Sequence, residues 1–175
     1  YVRALRPHQW TKNFLLALPV LVTQKVTVDN IVLIGLAFVA FCLVASSVYL
    51  INDMADLNSD RQHPRKRQRP FASGSATLVR AFPLIPILNI AGFALAATVS
   101  AAFFITICAY FVLTLAYSFS LKRRPIADVV ALGGLYMVRV FAGGMAIGDV
   151  LSPFMLGFCV FFFLCLALIK RWAEL

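Results

Sequence analysis

Residues 30–51 read NIVLIGLAFVAFCLVASSVYLI, and residues 52–60 read NDMADLNSD. The first stretch holds no charged side chain. A helix needs about 20 apolar residues to cross the hydrocarbon of a bilayer, so this stretch is long enough to span. The second follows without a break and is unusually acidic for this chain. Of seven Asp and Glu residues in the whole sequence, three fall here.

Similar apolar blocks continue on both sides. Spans are expected at 9–23, 30–51, 80–99, 102–119, 126–147 and 152–169. The first is short and contains Pro19. The blocks are continuously apolar rather than alternating, which disfavours a strand barrel. Hydrophobic residues make up 62% of the 175-residue chain and charged residues 13%. A soluble domain carries about a quarter charged residues, so lipid is the natural solvent. The fold class expected is an all-α integral membrane bundle, one domain over residues 1–175. Cys42, Cys108, Cys159 and Cys165 lie inside apolar blocks without metal-ligand spacing, and read as small buried residues. No signal peptide is evident, and Tyr1 and the charged turn before Leu175 suggest a piece of a longer chain.

Charge placement sets an orientation. Arg3, Arg6 and Lys12 precede the first expected span. Arg61, Arg65, Lys66, Arg67 and Arg69 follow the second, Lys122, Arg123 and Arg124 the fourth, and Lys170 and Arg171 the sixth. If six helices alternate, all of these share one side. The other side shows Lys25, Asp29 and Asp149. The basic side is expected to face the cytoplasm from a plasma (inner) membrane. Positive-inside bias accounts for most of the net charge of +9, so nucleic acid is not an expected partner. Anionic lipids and phosphate substrates can use the remainder.

At about 100° per residue, Asn52, Asp56 and Asp60 form an i, i+4, i+8 row on one helix face, with Asp53 at its edge. Like charges at i+4 repel, and a divalent cation would relieve the repulsion. One or two carboxylates plus substrate phosphates suit Mg²⁺. The basic run His63-Pro64-Arg65-Lys66-Arg67-Gln68-Arg69-Pro70 follows at once, and Arg forks bind phosphate oxygens bidentately. Together these groups can neutralise a diphosphate leaving group.

The pattern Asn52-Asp53-x-x-Asp56-x-x-x-Asp60, with Arg65 and then Arg69-Pro70, resembles the first aspartate-rich motif of the UbiA superfamily of intramembrane prenyltransferases. The resemblance implies a helix bundle of which about six of nine helices are present. It also implies Mg²⁺ held by Asn52, Asp53, Asp56 and Asp60, with Asp56 and Asp60 essential to catalysis. Arg6-Pro7-His8-Gln9-Trp10-Thr11-Lys12-Asn13 and Lys170-Arg171-Trp172-Ala173-Glu174-Leu175 resemble the decaprenyl-phosphate phosphoribosyltransferase branch. That branch takes 5-phosphoribosyl 1-diphosphate as donor and a polyprenyl phosphate as acceptor, the chemistry of cell-wall arabinan precursors. The family's second Asp-x-x-x-Asp motif is here replaced by Lys170-Arg171-x-x-Glu174.

Lys12, Arg65, Arg69, Lys122, Arg139, Lys170 and Glu174 are the expected phosphate-binding residues. Arg139 lies in mid-span, where a charge costs at least about 2.5–3.5 kcal/mol and normally faces a polar cavity or a partner. Asp128 is about 16 Å away along the helix, too far to pair with it. The expected partners are a diphosphate donor, a polyprenyl lipid and membrane lipids, and a homo-oligomer is compatible with the sequence. Two rival readings remain: transfer of a prenyl group from its diphosphate to an aromatic or other lipophilic acceptor, and a transporter or channel with a cytoplasmic cation site. The latter calls for charges deep in several spans, yet Arg139 is the only clear one in the sequence.

Overall fold

The computed structural model describes residues 3–64 and 66–172, with Arg123, Pro125 and Lys170 described by their backbone alone. Every regular element among the described residues is helical. A long 3₁₀ segment, Pro7–Ala17, runs into the short helix α1, Leu18–Val22. Then come α2, Val28–Ala55, and α3, Leu57–Gln62. After a 3₁₀ turn at Lys66–Gln68 follow α4, Leu78–Ala81, and α5, Leu84–Val99. α6 covers Ala101–Phe119, a 3₁₀ turn Leu121–Arg123, α7 Pro125–Ala146 and α8 Pro153–Trp172.

Helices at Val28–Ala55, Leu78–Val99, Ala101–Phe119 and Ile126–Ala146 are long and apolar enough to cross a membrane. The expected spans at 30–51, 80–99, 102–119 and 126–147 therefore stand. The last expected span forms a shorter apolar helix, Pro153–Ile169. The first differs more. Residues 9–23 are not one α-helix: they are divided between the 3₁₀ segment Pro7–Ala17, of 11 residues, and the five-residue α1. Pro19 supplies a reason: without an N–H it cannot bond to the carbonyl four residues back, and its ring crowds that turn. At about 2.0 Å per 3₁₀ residue and 1.5 Å per α residue the segment still extends about 30 Å.

α4 and α5 are separated at Phe82-Pro83: both residues keep right-handed helical angles, but Pro83 has no N–H to donate to the Val79 carbonyl and its ring crowds that turn. Ser100 is extended (φ −166°), and its Oγ accepts from Phe103 N–H to cap α6. Thr27 caps α2 through Asn30 N–H in the same way. Such caps satisfy amide donors that a helix start leaves open.

The core lies where α2, α5, α6 and α7 meet, around Phe41, Val44, Phe103, Ile107 and Tyr110. Small residues let backbones approach. A Cβ on Gly92 of α5 would come 2.7 Å from Val44 of α2, and one on Gly143 of α7 would come 2.1 Å from the Leu16 carbonyl oxygen. Gly143 thus admits the backbone of the 3₁₀ segment directly against α7, where a side chain would force it away. Large apolar side chains cover the outside: Val79, Ile126 and Phe154 are each more than 80% exposed. With four spanning helices and this exposed apolar surface, the chain is an integral membrane protein.

The charged residues separate to two ends. Arg6, Lys12, Lys66, Arg69, Lys122 and Arg171 converge on one cavity. At the other end Lys25 pairs with Asp149 at 3.0 Å.

Candidate active site

α2 has 28 residues, about 42 Å at 1.5 Å per residue, against a hydrocarbon thickness of about 30 Å. Its last turns therefore project beyond the apolar layer and carry Tyr49, Asn52 and Asp53 to a polar level. The helix breaks at Asp56, whose φ of −92° and ψ of 6° leave the helical region. Asp56 N–H still donates to the Asn52 carbonyl at 2.9 Å, and Asp60 N–H to that of Asp56 at 2.8 Å. The four-residue rhythm expected of this stretch survives the kink.

A cavity of about 460 Å³ opens at this end, and Asn52, Asp53 and Asp56 line one wall of it. Asp53 is buried, and Arg6 and Arg69 both donate to its Oδ1, at 2.5 and 3.3 Å. Arg69 also donates to Asp60 Oδ2 at 2.6 Å. Asp60 is buried and, among the described residues, is not part of the cavity lining. Its place is beneath Arg69, as an anchor. Lys122 donates to both carboxylate oxygens of Asp56, at 2.8 and 2.7 Å. The chain segments that bring these partners together are 47, 16 and 66 residues from the acids they meet.

Two buried acceptors stand out. Asn52 Oδ1 and Asp53 Oδ2 have no hydrogen-bond partner among the described residues. An unsatisfied buried polar atom costs about 1–3 kcal/mol, and oxygens of this kind are what a hard divalent cation takes. No three His, Cys, Asp or Glu side chains converge among the described residues. Mg²⁺ does not require that, because it commonly keeps waters and substrate phosphates beside one or two carboxylates. Asn52, Asp53 and Asp56 fit such an ion.

Arg139 forms the floor. It is 5% exposed. Its Nε donates to Asn13 Oδ1 at 3.1 Å, its Nη2 to Tyr110 Oη at 2.9 Å, and its Nη1 to the Leu135 carbonyl. Its guanidinium also lies over the rings of Tyr110 and Tyr136, 5.0 and 5.7 Å from their centres. Lys12 Nζ also lies over the Tyr136 ring, 5.8 Å from its centre. Arg139 lines the cavity as expected, and it also ties the 3₁₀ segment to α6 and α7. Arg139→Lys keeps the charge and loses the planar fork. It is expected to lower stability by about 1.5–3 kcal/mol, the value of a hydrogen bond to a charged group. Thermal unfolding in detergent measures this, and an unchanged midpoint would remove Arg139 as the tie.

Of the other residues expected at the site, Lys12, Arg69 and Lys122 line the cavity. Arg65 and Glu174 lie outside the described residues. Lys170 lies in α8, its side chain likewise outside them. The structure adds Arg6, Tyr49, Tyr110, Tyr117, Asp128 and Arg171 to the lining. Some of this was legible: Tyr49 precedes Asn52 and Asp53 by three and four residues, on one helix face. Tyr110, Thr114 and Tyr117 likewise repeat along one face of α6. Arg6 gives no such signal. It adopts a left-handed conformation (φ 52°), uncommon away from glycine, which turns its guanidinium onto Asp53 and over the Tyr49 ring at 5.4 Å.

Residues 13–173 match the sequence profile of the UbiA prenyltransferase family. The decaprenyl-phosphate phosphoribosyltransferase of Mycolicibacterium smegmatis is 37% identical over 179 residues, covering 99% of this chain and 56% of that protein. The nodulation protein NoeC of Azorhizobium caulinodans is 35% identical over 175 residues, covering 57% of its length. This chain thus spans little more than half of either relative. In fold it is similar to a UbiA homolog from Archaeoglobus fulgidus solved with DMAPP and Mg²⁺. The TM-score is 0.78 at 22% identity, over 94% of this chain and 60% of that one. The arrangement of the helices and the extent of the sequence match agree, and the chain belongs to the UbiA prenyltransferase family.

Proposed function

We propose that this chain forms the diphosphate-binding part of a transferase that moves 5-phosphoribosyl from phosphoribosyl 1-diphosphate to a polyprenyl phosphate. The observation that carries the reading is the division of the cavity. Asn52, Asp53 and Asp56 line it for a cation, while Arg171, from the Lys170-Arg171-x-x-Glu174 stretch that replaces the family's second carboxylate pair, lines the same cavity. Kinship with the Mycolicibacterium enzyme supports the same donor and acceptor.

Asn52 Oδ1, Asp53 Oδ2 and the Asp56 carboxylate would hold Mg²⁺, which when bound neutralises charge on the diphosphate. Lys122 is placed to share its ammonium between Asp56 and a phosphate oxygen. Arg6 and Arg69 both pair with buried Asp53 through its Oδ1 and so set its rotamer. In the reaction the ribose C1–O bond to diphosphate breaks and a C1–O bond to the lipid phosphate forms. The nucleophile is already an anion, so no strong base is needed, and positioning and fixed charge supply the rate. The cavity is proposed to face the cytoplasm.

Radiolabelled phosphoribosyl diphosphate and a polyprenyl phosphate, given to full-length enzyme in detergent, should yield labelled lipid. No labelled lipid, with product instead from a prenyl diphosphate and an aromatic acid, would establish the alternative of prenyl transfer. Orientation is checked separately. In a cysteine-free background, cysteines at Gln68 and Thr27, both exposed, should react with an impermeant thiol reagent from opposite sides, Gln68 from the cytoplasm. Labelling of both from one side would show that the first segment does not span.

A further inference from the structure

Across the cavity from the acidic wall, Asp128 opens α7. It is 5% exposed and sits on the cavity lining with Tyr117 and Arg171. Tyr117 Oη donates to Asp128 Oδ1 at 2.8 Å, which fixes the carboxylate. Asp128 Oδ2 lies 3.7 Å from Arg171 Nη1. That is an ion-pair distance, beyond the range of a hydrogen bond, and longer than the 2.6 Å at which Arg69 holds Asp60. Asp128 therefore sets a counter-charge beside Arg171. The Arg171 side chain is also more exposed, at 41% against 28% for Arg69. It comes from α8, whereas the acids of the opposite wall come from α2, so two separate parts of the chain supply the two walls.

We infer that Arg171, positioned by Asp128 and Tyr117, forms a second anion subsite that binds a phosphomonoester without a metal ion. This rests on the proposed function for the substrates that would fill it. Two carry the required group: the 5-phosphate of the donor and the headgroup phosphate of the acceptor lipid. A planar guanidinium matches two oxygens of such a group. A diphosphate bound through a cation would instead seek the α2 wall. Arg171 is assigned to binding, Asp128 and Tyr117 to positioning.

The test uses full-length enzyme in detergent with EDTA present and inorganic phosphate as the probe. Phosphate should raise the unfolding temperature of the wild type. In Arg171→Ala the phosphate concentration for half-maximal protection should rise at least about tenfold, as loss of a charged hydrogen bond implies. Arg171→Lys should recover part of this. Asp128→Asn keeps an acceptor for Tyr117 and removes the counter-charge beside Arg171, and should shift protection by about threefold. It serves as the test if Arg171→Ala does not fold. Equal protection of wild type and the variants overturns the subsite. Substrate kinetics then identify the source. A rise in KM for phosphoribosyl diphosphate alone assigns the donor's 5-phosphate, and a rise for polyprenyl phosphate alone assigns the acceptor. Unchanged KM for both overturns the subsite. If wild-type enzyme transfers no phosphoribosyl group, the proposed function fails, and the phosphate titration alone decides this inference.

Discussion

Asp56→Asn is expected to lower kcat/KM by about 10²–10³-fold with little loss of stability. The magnitude is that of removing one preorganised charged contact from a site that acts through electrostatics. The substitution keeps one oxygen but removes the negative charge that would draw a cation and that pairs with Lys122, which donates to both carboxylate oxygens. Stability should survive because the side chain is 34% exposed and lies at a kink rather than in a packed turn. Steady-state rates over a range of Mg²⁺ concentrations, with a thermal unfolding curve for each preparation, provide the measurement. Near-normal turnover at saturating Mg²⁺ would remove Asp56 from the proposed site.

Arg69→Ala should act on the fold instead, lowering stability by about 3–5 kcal/mol, as loss of one partner from a buried pair does. Arg69 Nη1 contacts both Asp53 and Asp60, whose side chains are 1% and 4% exposed. Asp53 retains Arg6, so Asp60 is the carboxylate that loses its counter-charge among the described residues. A second substitution separates this cause from lost packing. Adding Asp60→Asn to Arg69→Ala removes the stranded charge and should recover at least half of the loss. Thermal or denaturant unfolding in detergent reads both variants. If the double variant is no more stable than Arg69→Ala, charge stranding at Asp60 is not the cause.

These two outcomes divide residues that share one motif. Along 52–60, helical spacing placed Asn52, Asp56 and Asp60 in one row. In the fold, Asn52, Asp53 and Asp56 reach the cavity, while Asp60 passes beneath Arg69. The kink at Asp56 is one reason: it redirects the row by ending α2 and starting α3. The 3₁₀ form of residues 7–17 was also beyond a periodicity argument, since apolar content predicts a span but not the pitch of its backbone. Pro19 was visible in the sequence. The contact of Gly143 with the Leu16 carbonyl was not.

Local chemistry was enough for the bilayer, the four long spans, the gathering of basic residues at one end and the acidic stretch that follows α2. Each depends on solvation or on spacing within a single segment, and such effects act before any segment meets another. Which charge meets which acid depends on approach in space. Arg6 reaches Asp53 across 47 residues, Lys122 reaches Asp56 across 66, and Arg139 reaches Asn13 across 126. Ion pairs and hydrogen bonds weaken steeply with distance and angle. Their partners are therefore chosen by the packing of α2, α6, α7 and the 3₁₀ segment, which no single stretch of the chain specifies.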